Sequence, residues 1–278
     1  MHYYDRGGEV EVTGVSDFDL VKIFECGQCF RWNADETGAY TGVARGHAAR
    51  LRREGDRVFI SGSVGDFESV WRDYFDLDRD YANIRQHICV DDFIREASEF
   101  GAGIRILRQD KWEALCSFII SQCNNIPRIK RIIDSLCREF GDSVLFEGAE
   151  YYTFPSAEQL STLNEDSLAP LRCGYRAEYI LCAARAVADG TLDLEALSRG
   201  SPEDARTALK KLRGIGDKVA DCAVLFGLNM LDAFPRDVWV KRAVSRHYGL
   251  GFDPGVFSPY AGIAQQYIFY YTRTKQEQ

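Results

Sequence analysis

The sequence predicts an α+β protein, with an N-terminal antiparallel β-sheet followed by an all-helical body. Three observations carry this. Short runs before residue 62 alternate or carry β-branched and aromatic residues, with turn signals such as Asp35-Glu36-Thr37-Gly38 and Glu54-Gly55-Asp56 between them. After Phe67 the apolar residues recur at three-to-four spacing. The 278 residues can bury one large core or two fused domains.

In chain order, the pattern places strands at 9–13, 29–33, 40–45, 49–53 and 57–62, an antiparallel meander. Helices follow at 67–75, 81–87, 91–100, 111–122, 126–140, 157–162, 165–171, 176–189, 192–198, 202–212, 217–228, 238–248 and 258–274. The expected division is a sheet domain with flanking helices over 1–100 and a helical domain over 101–278. No repeat, low-complexity tract or long linker interrupts it. No apolar run is long enough to span a membrane, and Met1-His2-Tyr3-Tyr4-Asp5-Arg6 lacks a signal pattern. Nine scattered cysteines, an odd count in apolar segments, read as free thiols in a reducing compartment. The expectation is an intracellular monomer, in the cytoplasm or nucleoid if prokaryotic.

The densest chemical signal is Leu212-Arg213-Gly214-Ile215-Gly216-Asp217-Lys218. A helix meets a Gly-x-Gly turn and a second helix starts at once, a helix-hairpin-helix over about 202–228. Gly214 and Gly216 can take positive φ and let a backbone approach closely. The free N–H groups of the second helix favour an anion such as a DNA phosphate. Lys218 lies in that first turn, where the helix dipole favours the neutral amine, a nucleophile able to form an imine. A hairpin lysine that only touches phosphate fits the same residues equally well. Asp237, in Phe234-Pro235-Arg236-Asp237-Val238, reads as a helix N-cap. At a cleft the same carboxylate would stabilise a positively charged sugar and help deprotonate Lys218.

These residues resemble the helix-hairpin-helix DNA glycosylases with a Gly/Pro-rich loop and an aspartate. More narrowly, the chain resembles the 8-oxoguanine DNA glycosylase/AP lyase family over most of its length. Gly27-Gln28-Cys29-Phe30-Arg31-Trp32, the run 103–110, Ser117-Phe118-Ile119-Ile120-Ser121 with Asn124-Asn125-Ile126 and Arg128, Gly174-Tyr175-Arg176-Ala177, and Ala264-Gln265 through Phe269 each match a family motif, in order.

The resemblance implies roles for single residues. Lys218 and Asp237 would be catalytic. The Gly27 carbonyl would accept the N7–H that only the oxidised guanine carries, so guanine would leave buried groups unpaired. From the residue alone, Gly27 reads as a turn or bulge. Gln265 and Phe269 are four apart and share a helix face; Gln265 would read the Watson–Crick edge and Phe269 would stack on the ring, worth about 1–3 kcal/mol. An aromatic stripe is otherwise core. Cys222, one turn after Lys218, would face the other side of the base, or serve as a small hydrophobe. Tyr175 would wedge into the stack, with Asn124 and Asn125 handling the duplex. Arg128 and Arg176 would read the estranged cytosine, or merely contact phosphate.

The chain departs from the family pattern at Cys123, where an asparagine fills the vacated space, at Trp239, where histidine is common, and at Thr272, where an acid is usual. Cys26-Gly27-Gln28-Cys29 has CxxC spacing but no second pair at zinc spacing. With no cysteine after Cys222, a C-terminal iron–sulfur cluster is excluded by count. No cofactor is expected; a structural monovalent or calcium ion could sit on the carbonyls of Lys210, Leu212 and Ile215. The net charge of −8 argues against a nucleic-acid partner. Acids, however, crowd 66–92 and 147–193, whereas bases gather in 105–131 and at Lys210, Lys211, Arg213, Lys218, Arg236, Lys241, Arg242 and Arg246. The expected activity is excision of 8-oxoguanine from duplex DNA, opposite cytosine, through a Lys218 Schiff base. The alternatives are a glycosylase of the same superfamily for another damaged base and a non-catalytic DNA-binding protein.

Overall fold

The strands of the computed structural model, which describes residues 1–249 and 251–277, form a six-stranded antiparallel sheet in the order β1-β2-β6-β5-β4-β3. They are β1 (His2–Asp5), β2 (Glu9–Thr13), β3 (Asn33–Ala34), β4 (Tyr40–Ala44), β5 (His47–Glu54) and β6 (Arg57–Ser61). Helix α1 (Leu20–Glu25) lies between β2 and β3, capped by Asp19. Val10, Val12, Leu51 and Ile60 bury one sheet face against Phe24, Trp32, Trp71 and Phe75.

The expected strand at 29–33 is a correction. Only Asn33–Ala34 pairs, with β4. Cys29 and Trp32 bury in the sheet core, while Phe30 buries in the helical core. The alternation is real, but it divides side chains between two cores rather than two faces of a sheet. β1, α1 and a second hairpin, β7 (Ser143–Phe146) with β8 (Ala149–Tyr152), are four to six residues each, too short for a period to stand out. That hairpin turns on Glu147 and Gly148, both at positive φ, a two-residue turn of the kind that matches strand twist.

Helices α2 (Val64–Asp66) and α3 (Arg72–Tyr74) run on through a π turn, Phe67–Trp71. Next come α4 (Tyr81–Ile88), α5 (Asp92–Phe100), α6 (Lys111–Ile120) and α7 (Ile126–Phe140). Beyond the second hairpin lie α8 (Ala157–Ser161), α9 (Glu165–Leu168), α10 (Arg176–Ala188), α11 (Leu194–Leu197), α12 (Pro202–Leu209), α13 (Asp217–Cys222), α14 (Val238–His247) and α15 (Ala261–Glu277). The expected helix over 217–228 changes to a π turn at Ala223–Gly227.

Helix α6 is apolar almost all round and runs through the helical core, as such a helix must. Its last turn therefore has a fixed position. The two cores interleave along the chain: Tyr81, Ile84, Ile94 and Ala97 of α4 and α5 belong with the helical core, and Leu107 with the sheet core. Rings of α5 and α15 pack together, Phe93 on Tyr271 and Phe100 on Tyr270. The buried Arg105 guanidinium donates to the carbonyls of Ser16, Asp17 and Asp76 and ties the sheet to the helices. No helix among the described residues is long and apolar enough to cross a membrane.

Candidate active site

The hairpin joins α12 to α13. Gly214 sits at φ +81°, and a Cβ there would stand 2.5 Å from Cδ1 of Tyr179 and closer still to Cγ. Only glycine lets the turn lie against that ring. Gly216 differs from the expectation: it is the N-cap of α13, with φ −93° and ψ −179°, and open space around it. Its use is close approach rather than positive φ. The N–H groups of Asp217 and Lys218 then open the helix.

Lys218 is half-buried on an open cleft of about 920 Å³ that it shares with Cys123, Arg236, Asp237 and Lys241. Its Nζ donates to Ser121 Oγ at 2.9 Å and lies 5.3 Å from the Phe118 ring centroid. Asp237 caps α14 through one oxygen only: Oδ1 accepts from Trp239 N at 3.0 Å and Val240 N at 2.9 Å. That leaves Oδ2 for the cleft. Burial raises the Asp237 carboxyl above its ordinary value, opposed by the Val240 hydrogen bond and the Lys218 charge. Lys218 and Asp237 thus act on each other across the cleft without a contact ion pair. Burial pushes the Cys222 thiol up to about 11, so it stays neutral at pH 7.

Phe118 also packs toward the segment that carries Gly27. Phe30, three residues after Gly27, packs edge-on against it at 6.0 Å. Gly27 has φ +79°, and a Cβ there would meet Phe269 Cε1 at 3.6 Å, so the ring packs directly against the glycine. Gln265 is 3% exposed, and its Oε1 has no hydrogen-bond partner among the described residues. A buried amide oxygen without a donor fits a ligand that brings one, as the N1–H and 2-amino group of a guanine-type base do. Sequence reasoning missed Gln266, whose Nε2 donates to Cys26 O at 2.7 Å and fixes the Gly27 segment to α15. It also missed a role for Ser121. The adjacent pair Gln265-Gln266 in an otherwise apolar stretch was the available signal for the first; for the second there was none.

The duplex-handling residues form a second group. Cys123 is exposed and left-handed at φ +46°. Asn124 is tied down, donating to Ile120 O and accepting from Asn125 N, and Asn125 caps α7 at Arg128 N. Tyr175 is 50% exposed, its ring edge-on to Tyr179 at 5.6 Å. Arg128 is exposed and donates to Arg172 O at 3.1 Å. Arg176 is different. It is 3% exposed, and its guanidinium holds the carbonyls of Gln122, Cys123 and Cys173. Here it organises the loop rather than presenting donors to solvent.

The basic residues divide likewise. Lys210 and Arg206 pair with Asp217, and Arg213 pairs with Glu178. Lys241, Arg242 and Arg246, exposed on α14, have no carboxylate partner among the described residues. An acidic chain thus presents an unneutralised basic strip beside Lys218.

The order of elements and the motifs agree with known proteins. Residues 12–115 match the 8-oxoguanine DNA glycosylase N-terminal domain, and residues 116–255 match the HhH-GPD superfamily of base excision DNA repair proteins. The chain belongs to the 8-oxoguanine DNA glycosylase family. It is 34% identical over 259 residues to the N-glycosylase/DNA lyase of Saccharomyces cerevisiae, covering 84% of this chain and 69% of the yeast protein. Among solved structures it is similar to the Clostridium acetobutylicum 8-oxoguanine glycosylase/lyase, in complex with double-stranded DNA containing cytosine opposite 8-oxoG. The TM-score is 0.94 at 36% identity, over 99% of each chain. It is similar too to MBOgg1 in complex with a low-affinity DNA ligand, with a TM-score of 0.94 at 43% identity, over 99% of this chain and 100% of that one. An archaeal relative of the fold, the 3-methyladenine DNA glycosylase of Archaeoglobus fulgidus, has a TM-score of 0.71 at 21% identity, over 95% and 98%.

Proposed function

We propose that this chain excises 8-oxoguanine from duplex DNA, preferentially opposite cytosine, and nicks the strand through an imine on Lys218. The carrying observation is the placement of the Lys218 amine on the cleft it shares with Asp237, with the Phe118 ring beneath it. Tyr175 enters the stack as the damaged nucleotide leaves it. The base enters as the Phe269 ring moves off Gly27, with Phe269 on its face, Gln265 on its Watson–Crick edge and the Gly27 carbonyl on N7–H. Neutral Lys218 attacks C1′, the C–N glycosidic bond breaks, and the base departs with its electron pair and takes up a proton. Oδ2 of Asp237 steadies the positive sugar and receives the proton that the nitrogen loses. The nitrogen lone pair then forms C=N as the C1′–O4′ bond breaks, O4′ taking the proton held by Asp237; the resulting imine acidifies the 2′ hydrogens and permits β-elimination of the 3′ phosphate. Arg128 is the exposed candidate for the estranged cytosine, and Arg176 holds the loop beneath it.

The carbonyls of Lys210, Leu212 and Ile215 are suited to a structural monovalent or calcium ion; Leu212 O already accepts from Ile215 N at 3.2 Å, which leaves it a second lone pair. A genomic DNA substrate implies an intracellular protein, and the monomer is proposed as its acting form. Borohydride trapping tests the reading. The parent should form a covalent adduct with a duplex carrying 8-oxoguanine opposite cytosine, and Lys218→Gln should form none. Absence of both adduct and base release from the parent would refute it.

A further inference from the structure

We propose that Ser121 is a positioning residue for Lys218, an acceptor-only clamp that orients the amine for attack. The inference rests on the reading of Lys218 as nucleophile and adds a residue to it. Ser121 ends α6, and its hydroxyl donates to Phe118 O at 2.8 Å. That bond uses the only hydroxyl proton. What remains toward Lys218 Nζ, 2.9 Å away, is a lone pair. Ser121 therefore accepts an N–H and cannot donate to the nitrogen. A freely rotating serine would donate to the neutral amine and occupy the electron pair needed for attack. Here the Phe118 carbonyl prevents that rotation, and the amine lone pair is directed away from the serine.

The clamp is rigid from both sides. Before it stands α6, buried almost throughout. After it, the carbonyls of Gln122 and Cys123 are gripped by the buried Arg176 guanidinium. The Phe118 ring, under the amine at 5.3 Å, is itself stacked on Phe226 at 5.3 Å. The contact also strengthens along the reaction. As the nitrogen bonds to C1′ it gains positive charge, and a charged donor makes a stronger hydrogen bond than a neutral one. Stabilisation that grows toward the transition state raises rate rather than affinity.

The test uses the full chain with two duplexes, one carrying 8-oxoguanine opposite cytosine and one carrying a preformed abasic site. Single-turnover borohydride trapping and DNA affinity are measured for the parent, Ser121→Ala and Ser121→Thr. The alanine variant should trap about 10- to 100-fold more slowly on both duplexes, the scale of a misplaced reacting group, with DNA affinity and melting temperature unchanged. The threonine variant, which keeps the hydroxyl, should recover most of the rate. Parental trapping by the alanine variant, a loss that follows DNA affinity or melting temperature, or a loss on the lesion duplex alone overturns the proposal. A rate that threonine does not restore in folded protein also overturns it, because the effect then belongs to the helix end. Failure of the parent to trap either duplex would instead refute the Lys218 reading.

Discussion

Gly214→Ala isolates the contribution of the hairpin turn. The position combines φ +81° with the Tyr179 ring, whose Cδ1 would lie 2.5 Å from the new Cβ. An L-residue in the left-handed region costs about 1–2 kcal/mol. Forcing a methyl into a filled space adds about 1–3 kcal/mol. The contact is with the inner ring atoms rather than the tip of a flexible chain, so the ring must move as a whole. Together the substitution should cost roughly 2–5 kcal/mol, which lowers the melting temperature by on the order of 10 °C in a chain this size. Tyr179 also carries the ring of Tyr175, so DNA affinity should fall beyond the stability loss. Urea unfolding followed by circular dichroism gives the first quantity, and fluorescence anisotropy with an abasic duplex the second. Gly216→Ala is the control, since its Cβ would meet open space; its stability should stay close to the parent while phosphate approach suffers. A Gly214→Ala protein that unfolds within about 1 kcal/mol of the parent, below the least penalty for the backbone alone, would refute the argument.

Three further perturbations separate roles that share a residue. Asp237→Asn keeps an Oδ1 acceptor for Trp239 N and Val240 N, so melting should barely move while single-turnover excision falls about 10²- to 10⁴-fold. Glu113, with a side chain 13% exposed and facing Arg31 at 3.5 Å, is pushed up to about 7 by burial. Between its ordinary 4.5 and about 7 the folded chain holds a proton that the unfolded chain has lost, so stability declines as pH rises through that window. Urea unfolding of the parent should lose about 1–3 kcal/mol more from pH 5 to pH 8 than that of Glu113→Gln. Cys123→Asn places a residue tolerant of φ +46° in the loop; relief of about 1 kcal/mol should raise the melting temperature by about 2–4 °C in a thermal scan.

Much of the site was legible because its residues sit where chemistry restricts the choice. Gly214 needs positive φ, Lys218 starts a helix and Asp237 caps one, and each leaves a local mark on the sequence. The helical body was legible for a similar reason, since α7 and α5 bury one stripe each. Long-range contacts left no such mark. Nothing near Ser121 announces a lysine ninety-seven residues on, and nothing in Tyr175-Arg176 says that the tyrosine faces solvent while the arginine turns inward to three carbonyls. The 29–33 segment misled because alternation was its only signal, and two adjacent cores produce the same alternation as one sheet.

The packing of α15 against α5 has a consequence for how the active site comes into being. Gln265 and Phe269 belong to a helix whose rings rest on Phe93 and Phe100, contributed much earlier in the chain. Contacts of such sequence separation form late and slow the folding search. During synthesis the hairpin and Lys218 leave the ribosome before α15. On the base-reading role proposed for Gln265 and Phe269, that part of the site is complete only once α15 has docked.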